Sequence, residues 1–232
     1  KTSITKKNYR ADIIDRNGNY LVKTVDSINV GIHPAKVINK KHLLLMLNHI
    51  YKNENLLQIK KKLDRDRFFY LEKNIRPKRY EELMMLGDKS ISSEASLVRL
   101  YPQENLFSHI IGQIDNDNNG ISGVEKSFDK ELKKINKPLQ LTVDLDIQFL
   151  IRKELLRFQN IFDAKGSAAI LMNVNNGEIL SMVSLPDFNL NKRETINDVN
   201  YINRITKGTY ELGSVFKTFT IASGINEKII EP

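Results

Sequence analysis

The sequence predicts an α+β fold, and three observations carry that expectation: segments that alternate apolar and polar residues, segments with apolar residues at helix spacing, and a late strand pair beside one long capped helix. Residues 9 to 32 contain Ile13-Ile14, Tyr20-Leu21-Val22 and Ile28 to Val30, with Asn17-Gly18 between the first two. Asn-Gly between apolar runs is a hairpin signal, because both residues tolerate the positive φ of a tight two-residue turn. From Lys41 to Asp64 the period lengthens. Leu44, Leu47 and Ile50, followed by Leu56, Ile59 and Leu63, predict two short helices broken at Asn53-Glu54-Asn55. Phe68-Phe69-Tyr70-Leu71 reads as a strand. Pro77 stands in the first turn of a helix running through Leu86, which Gly87 ends.

Leu97 to Tyr101 is a further expected strand, Glu104 to Ile111 a short helix ended by Gly112, and Asn116 to Gly123 a turn-rich loop. Asn136-Lys137-Pro138 forms a polar hinge, which divides the chain into residues 1–135 and 136–232. Beyond it, Leu139 to Val143 reads as a strand and Asp144 as the cap of a helix from Asp146 to about Phe162. Ala168 to Val174 and Ile179 to Ser184 form a hairpin through Asn175-Asn176-Gly177-Glu178. Residues Pro186 to Lys207 look like a polar loop that leads into a helix opening at Ser214.

Composition narrows the function. An apolar content of 41% over 232 residues is that of a globular chain able to bury a core. The net charge of +8 comes from 36 Lys and Arg against 28 Asp and Glu. Without an RNA-binding signature it does not predict a nucleic-acid partner, and an anionic surface is at least as good a candidate. The absence of cysteine excludes disulfides and thiolate metal sites. His33, His42, His49 and His109 form no ligand pattern, so neither a metal nor a cofactor is expected. No stretch reaches the roughly 20 apolar residues of a membrane span. The missing initiator Met and the ending at Pro232 suggest a fragment.

The chemistry resides in Ser214-Val215-Phe216-Lys217, a Ser-x-x-Lys motif just after Gly213 at the start of an apolar helix. Positions i and i+3 share a helix face, so the hydroxyl and the amine can meet. Burial near a helix N-terminus would favour the neutral amine, because the macrodipole and the loss of solvent both disfavour an ammonium ion there. A neutral Lys217 could take the Ser214 proton. The same four residues also read as an ordinary Gly-Ser helix start, so context has to decide.

Three further motifs precede Ser214 in order: Arg10-Ala11-Asp12-Ile13-Ile14-Asp15-Arg16-Asn17-Gly18, Arg99-Leu100-Tyr101-Pro102, and Gly120-Ile121-Ser122-Gly123-Val124-Glu125-Lys126-Ser127-Phe128-Asp129. With them the chain resembles the class B penicillin-binding proteins, the peptidoglycan transpeptidases, over nearly its whole length. Ala11 stands where that family usually has Gly. Phe68 to Leu71 and Gly123 to Lys130 are most similar to the septal, cell-division members. Leu141-Thr142-Val143-Asp144 with Gln148, Asn176 to Met182, and Pro186 to Asn191 resemble the opening of the transpeptidase domain.

The resemblance implies a non-catalytic pedestal, or dimerisation-type, domain over 1–135. It implies the truncated beginning of a penicillin-binding, serine β-lactamase-like transpeptidase domain over 136–232. It makes Ser214 the nucleophile and Lys217 its base, with no cofactor. The implied substrates are peptidoglycan stem peptides ending in D-Ala-D-Ala, penicillin and other β-lactams are implied ligands, and cell-division proteins are implied partners. The family is held in the inner membrane by an N-terminal span, which would lie upstream of this chain, with its bulk in the periplasm. Arg10, Asp15, Arg16, Arg99 and Glu125 are expected to form architectural ion pairs and hydrogen bonds. The family's Ser-x-Asn and Lys-Thr-Gly motifs do not follow Lys217, and Lys207-Gly208-Thr209 has the wrong order, so the fragment alone is expected to be inactive. A scaffold or binding module of the division machinery and a β-lactam sensor or β-lactamase relative are the alternatives.

Overall fold

The computed structural model describes residues 9–51, 56–192 and 198–231. Strand β1 (Ile13–Ile14) pairs antiparallel with β2 (Tyr20–Ile32), Ile13 opposite Val22 and Ile14 opposite Tyr20. Gly18 sits at the turn with φ +87°, and the Asp15 carboxylate accepts from the Asn17 and Asn19 N–H groups, each at 2.8 Å. The two expected strands over Tyr20 to Val30 are one continuous strand of 13 residues.

The far half of β2 organises a lobe of its own. After it come α1 (Lys40–Tyr51), α2 (Leu56–Leu63), β3 (Phe69–Glu72), α3 (Pro77–Met85) and β4 (Ile91–Leu100). The expected break at 53–55 lies outside the described residues. β4 pairs antiparallel along β2 from Lys23–Leu100 to Ile32–Ile91, and β3 pairs with Val30 to Ile32. The helices cover one face of this sheet, burying Leu43, Leu47, Ile59, Leu63 and Leu83 against Val30 and Ile32. β4 starts six residues earlier than the sequence suggests, in a Ser-rich stretch that its pairing with β2 makes extended.

Beyond β4 the chain forms α4 (Ser108–Ile111), α5 (Gly123–Ser127) and α6 (Asp129–Leu132). The helix expected from Glu104 is shorter because Glu104 adopts φ +48° and Phe107 φ −118° with ψ +18°, neither of them a right-handed helical conformation. Gly123 has φ +58°, and a Cβ there would lie 2.6 Å from the Ile110 carbonyl oxygen. Only glycine lets α5 approach α4 this closely.

β5 (Leu139–Gln140) then returns to pair parallel with β1. Asp144 accepts from the Asp146 and Ile147 N–H groups and caps α7 (Leu145–Ile161), as the sequence predicts. β6 (Ser167–Met172) and β7 (Ile179–Leu185) form the expected hairpin, with α7 packed on it. The polar segment after Pro186 holds two short helices instead of loop alone, α8 (Asp198–Tyr201) and α9 (Arg204–Lys207). Asn203 caps α9 by accepting from the Ile205 and Thr206 N–H groups. A 3-10 turn, Gly213–Phe216, opens α10 (Lys217–Asn226). Ala11, Ile13, Val22, Phe107 and Leu132 share one core with Val143, Phe188 and Leu190, so the same apolar interior contains residues from both sides of the 136–138 hinge.

Gln148 ties α7 to that interior. Its amide nitrogen donates to the Leu106 and Met182 carbonyls at 2.9 and 3.0 Å, while its oxygen accepts from Ser181 Oγ at 2.6 Å and the Met182 N–H at 3.0 Å. Replacement by Leu keeps the volume but strips partners from four polar groups at a buried site. Gln148→Leu is expected to lower stability by about 3 kcal/mol, measured by urea unfolding.

Candidate active site

The segment carrying Ser214 hangs from β7 through specific contacts. Ser184 Oγ, at the end of β7, accepts from the Arg204 N–H at 2.9 Å and donates to the Ile202 carbonyl at 3.2 Å. Tyr201 Oη donates to Gln113 Oε1 at 2.8 Å, and Tyr210 Oη to the Arg204 carbonyl at 3.0 Å. Upstream, Asp187 is gripped by Arg152 in a two-point ion pair at 2.6 and 3.1 Å and accepts from Asn105 Nδ2 at 3.1 Å. Pattern reading missed this clamp. Arg152 lies four residues after Gln148 on the same face of α7, which is the signal that could have found it.

Gly213 has φ +54°, and the Val215 N–H donates to the Leu212 carbonyl at 3.1 Å, so the backbone tightens at Ser214. Lys217 is the first residue of α10, and its N–H donates to the Ser214 and Val215 carbonyls. The two candidate residues are therefore one turn apart, as the spacing requires. Their side chains make no hydrogen bond to each other among the described residues, and both are exposed. Phe219 and Ile221 on the same helix are 62% and 53% exposed. The burial from which a neutral Lys217 was expected is thus absent from this structure. A cleft of about 450 Å³, lined in part by Ser167, Ala169, Arg204 and Tyr210, lies along β6, and neither Ser214 nor Lys217 lines it.

The architectural residues converge closely. Glu125 is fully buried, with one carboxylate oxygen on Arg10 Nε and the other on Arg99 Nε at 2.8 Å. Arg10 also reaches Asp129 at 2.7 Å, a partner that the sequence motif contained but reading did not single out. Asp15 accepts from the Leu145 N–H at 3.1 Å, and Arg16 faces Glu178 at 3.5 Å, so the first motif grips the start of α7 and the β6–β7 turn. Burial acts to raise the Asp129 carboxyl, but hydrogen bonds from Lys133, the Gly120 N–H and Arg10 outweigh it and pull it down to about 2. A carboxyl held below its ordinary 3.8 stabilises the fold above that value and loses the contribution as pH falls through 2. Asp129 is about one-quarter exposed, so solvent screening reduces the gain. Asp129→Asn is expected to cost about 1–2 kcal/mol at pH 7, a difference that should vanish near pH 2 in acid-unfolding curves.

Among the described residues no group of three or more His, Cys, Asp or Glu could hold a metal ion, and no helix is long and apolar enough to cross a membrane. Residues 5–150 match the family of the penicillin-binding protein dimerisation domain. The chain belongs to the penicillin-binding proteins. Residues 167–232 of this penicillin-binding protein match the family's transpeptidase domain. It is 29% identical, over 94% of its length, to the probable peptidoglycan D,D-transpeptidase FtsI of Caulobacter vibrioides, of which it covers 38%. It is 30% identical, over 97% of its length, to the peptidoglycan D,D-transpeptidase FtsI of Buchnera aphidicola, of which it covers 45%. The crystal structure of a peptidoglycan synthetase from Bifidobacterium adolescentis shares the fold with a TM-score of 0.63 at 18% identity, over 97% of this chain and 51% of the other. The chain thus spans less than half the length of these two FtsI relatives.

Proposed function

We propose that the protein is a serine D,D-transpeptidase that cross-links peptidoglycan stem peptides at cell division, with Ser214 as nucleophile and Lys217 as its proton acceptor. The observation carrying this reading is the Ser-x-x-Lys turn at the mouth of α10, inside the segment that matches the transpeptidase family. Ser214 Oγ attacks the carbonyl between the last two D-alanines of a donor stem, Lys217 Nζ takes the hydroxyl proton, and the terminal D-alanine leaves with a proton returned to its amine. The Ser214 N–H is one donor for the oxyanion. An acceptor stem's amine then attacks the ester and frees Ser214. Penicillin and other β-lactams acylate the same oxygen and stay.

Residues 1–135 act as the pedestal, a docking platform for other division proteins, and 136–232 open the catalytic half. The working place is the periplasm, under an inner-membrane anchor. The names of the FtsI relatives support the division role. The test is to label the full-length protein with a fluorescent penicillin and locate the adduct by mass spectrometry. An adduct on the peptide holding Ser214 is expected, and one placed reproducibly on another residue would remove Ser214 from the role.

A further inference from the structure

Lysines occur throughout the chain, but the net charge does not. Between His33 and Ser90 stand 14 Lys and Arg against 7 Asp and Glu, so this lobe alone carries +7 of the chain's +8. Its two leading helices also display apolar residues on the outside. The faces turned to the lobe's core are fixed by Leu43 and Leu47 on α1 and by Ile59 and Leu63 on α2. On the opposite faces Leu45 is 69% and Leu57 77% exposed, and Ile38, just before α1, is 93% exposed. Lys41 precedes Leu45 by four residues, and Lys60 and Lys61 follow Leu57 by three and four, so Leu45 has one lysine and Leu57 two as neighbours on the helix surface.

We propose that this outer face of α1 and α2 docks on a bilayer surface rich in anionic phospholipid headgroups. Clustered cations supply attraction to the negative surface, and apolar side chains among them enter the boundary between headgroups and acyl chains. The charge complements any polyanion. The protruding Ile38, Leu45 and Leu57 favour lipid, because a soluble polyanion offers them no apolar layer to enter. The inference concerns residues remote in sequence from Ser214 and stands whether or not that serine is acylated.

The test is co-sedimentation of the chain with vesicles of equal parts phosphatidylglycerol and phosphatidylcholine, beside vesicles of phosphatidylcholine alone. Binding to the first, little to the second, and loss at high salt are expected. Lys41→Gln, Lys60→Gln and Lys61→Gln together should weaken binding about 100-fold. Leu45→Ser with Leu57→Ser should weaken it at least about tenfold. Lys130→Gln, Lys134→Gln and Lys137→Gln, which remove the same charge outside the lobe, should change it less than about twofold. Unchanged thermal unfolding would show that all three variants fold. The proposal is overturned by equal binding to neutral vesicles, by no binding to either, or by retention in the lobe variants. Equal loss in the control variant, or preferential capture of soluble polyglutamate over anionic vesicles, would overturn it too.

Discussion

Ser214→Ala in the full-length protein is expected to abolish covalent labelling by a fluorescent penicillin altogether, since no other oxygen occupies the nucleophile position of the Ser-x-x-Lys turn. Lys217→Ala should still label, but about a hundredfold more slowly, the usual worth of a positioned proton acceptor. The pair of outcomes separates two roles. A nucleophile cannot be dispensed with, whereas a base can be replaced in part by water. Labelling of Ser214→Ala at the wild-type rate would exclude the serine, and an unchanged rate in Lys217→Ala would exclude the amine. In this structure both side chains lie exposed and make no hydrogen bond to each other, so the proposed reactive pairing needs α10 to be covered. The lysine effect should therefore shrink in any form of the protein where α10 stays open.

Glu125→Ala is expected to cost about 4 kcal/mol of folding stability. Glu125 has no exposed surface, and its two oxygens serve two guanidinium groups. Removing it leaves Arg10, also fully buried, with only Asp129 and carbonyl oxygens for company, and Arg99 with the Arg10 and Ala11 carbonyls and Thr24 Oγ1. An uncompensated buried charge, not the lost attraction, sets the size of the effect. Glu125→Gln keeps the shape and one acceptor, so it should lose roughly half as much. For a chain of this length the alanine variant should melt roughly 10 °C lower in calorimetry. A shift below a few degrees would mean that the cluster is far better solvated than its burial indicates.

Much of this architecture was legible because it rests on local chemistry. Asp144 announces the start of α7, Asn17-Gly18 the first hairpin, and Pro77 and Gly87 the limits of α3. What escaped is set by distant partners. The Ser92-Ser93-Glu94 stretch has no strand pattern of its own and is extended because Gly31, Val30 and Asn29 of β2 lie opposite it. Glu104 has good helix propensity yet takes a left-handed turn, and its carboxylate accepts from Asn189 Nδ2, a residue of the late core loop. The candidate site divides in the same way. The positions of Ser214 and Lys217 follow from a four-residue motif, but their burial depends on what packs against α10, which no spacing within the motif encodes.

The short parallel pairing of β1 with β5 has a consequence for how the protein is made. Ile13 leaves the ribosome 126 residues before Leu139, the residue that it lies beside. At ordinary rates of synthesis the opening strand waits roughly 6–25 s for its neighbour, with the Arg10 guanidinium waiting nearly as long for Glu125. During that interval β1 is an unfinished edge that invites pairing with another chain. The lobe of α1 to α3 closes on its own local contacts in the meantime, so β1, although made before that lobe, should become native after it.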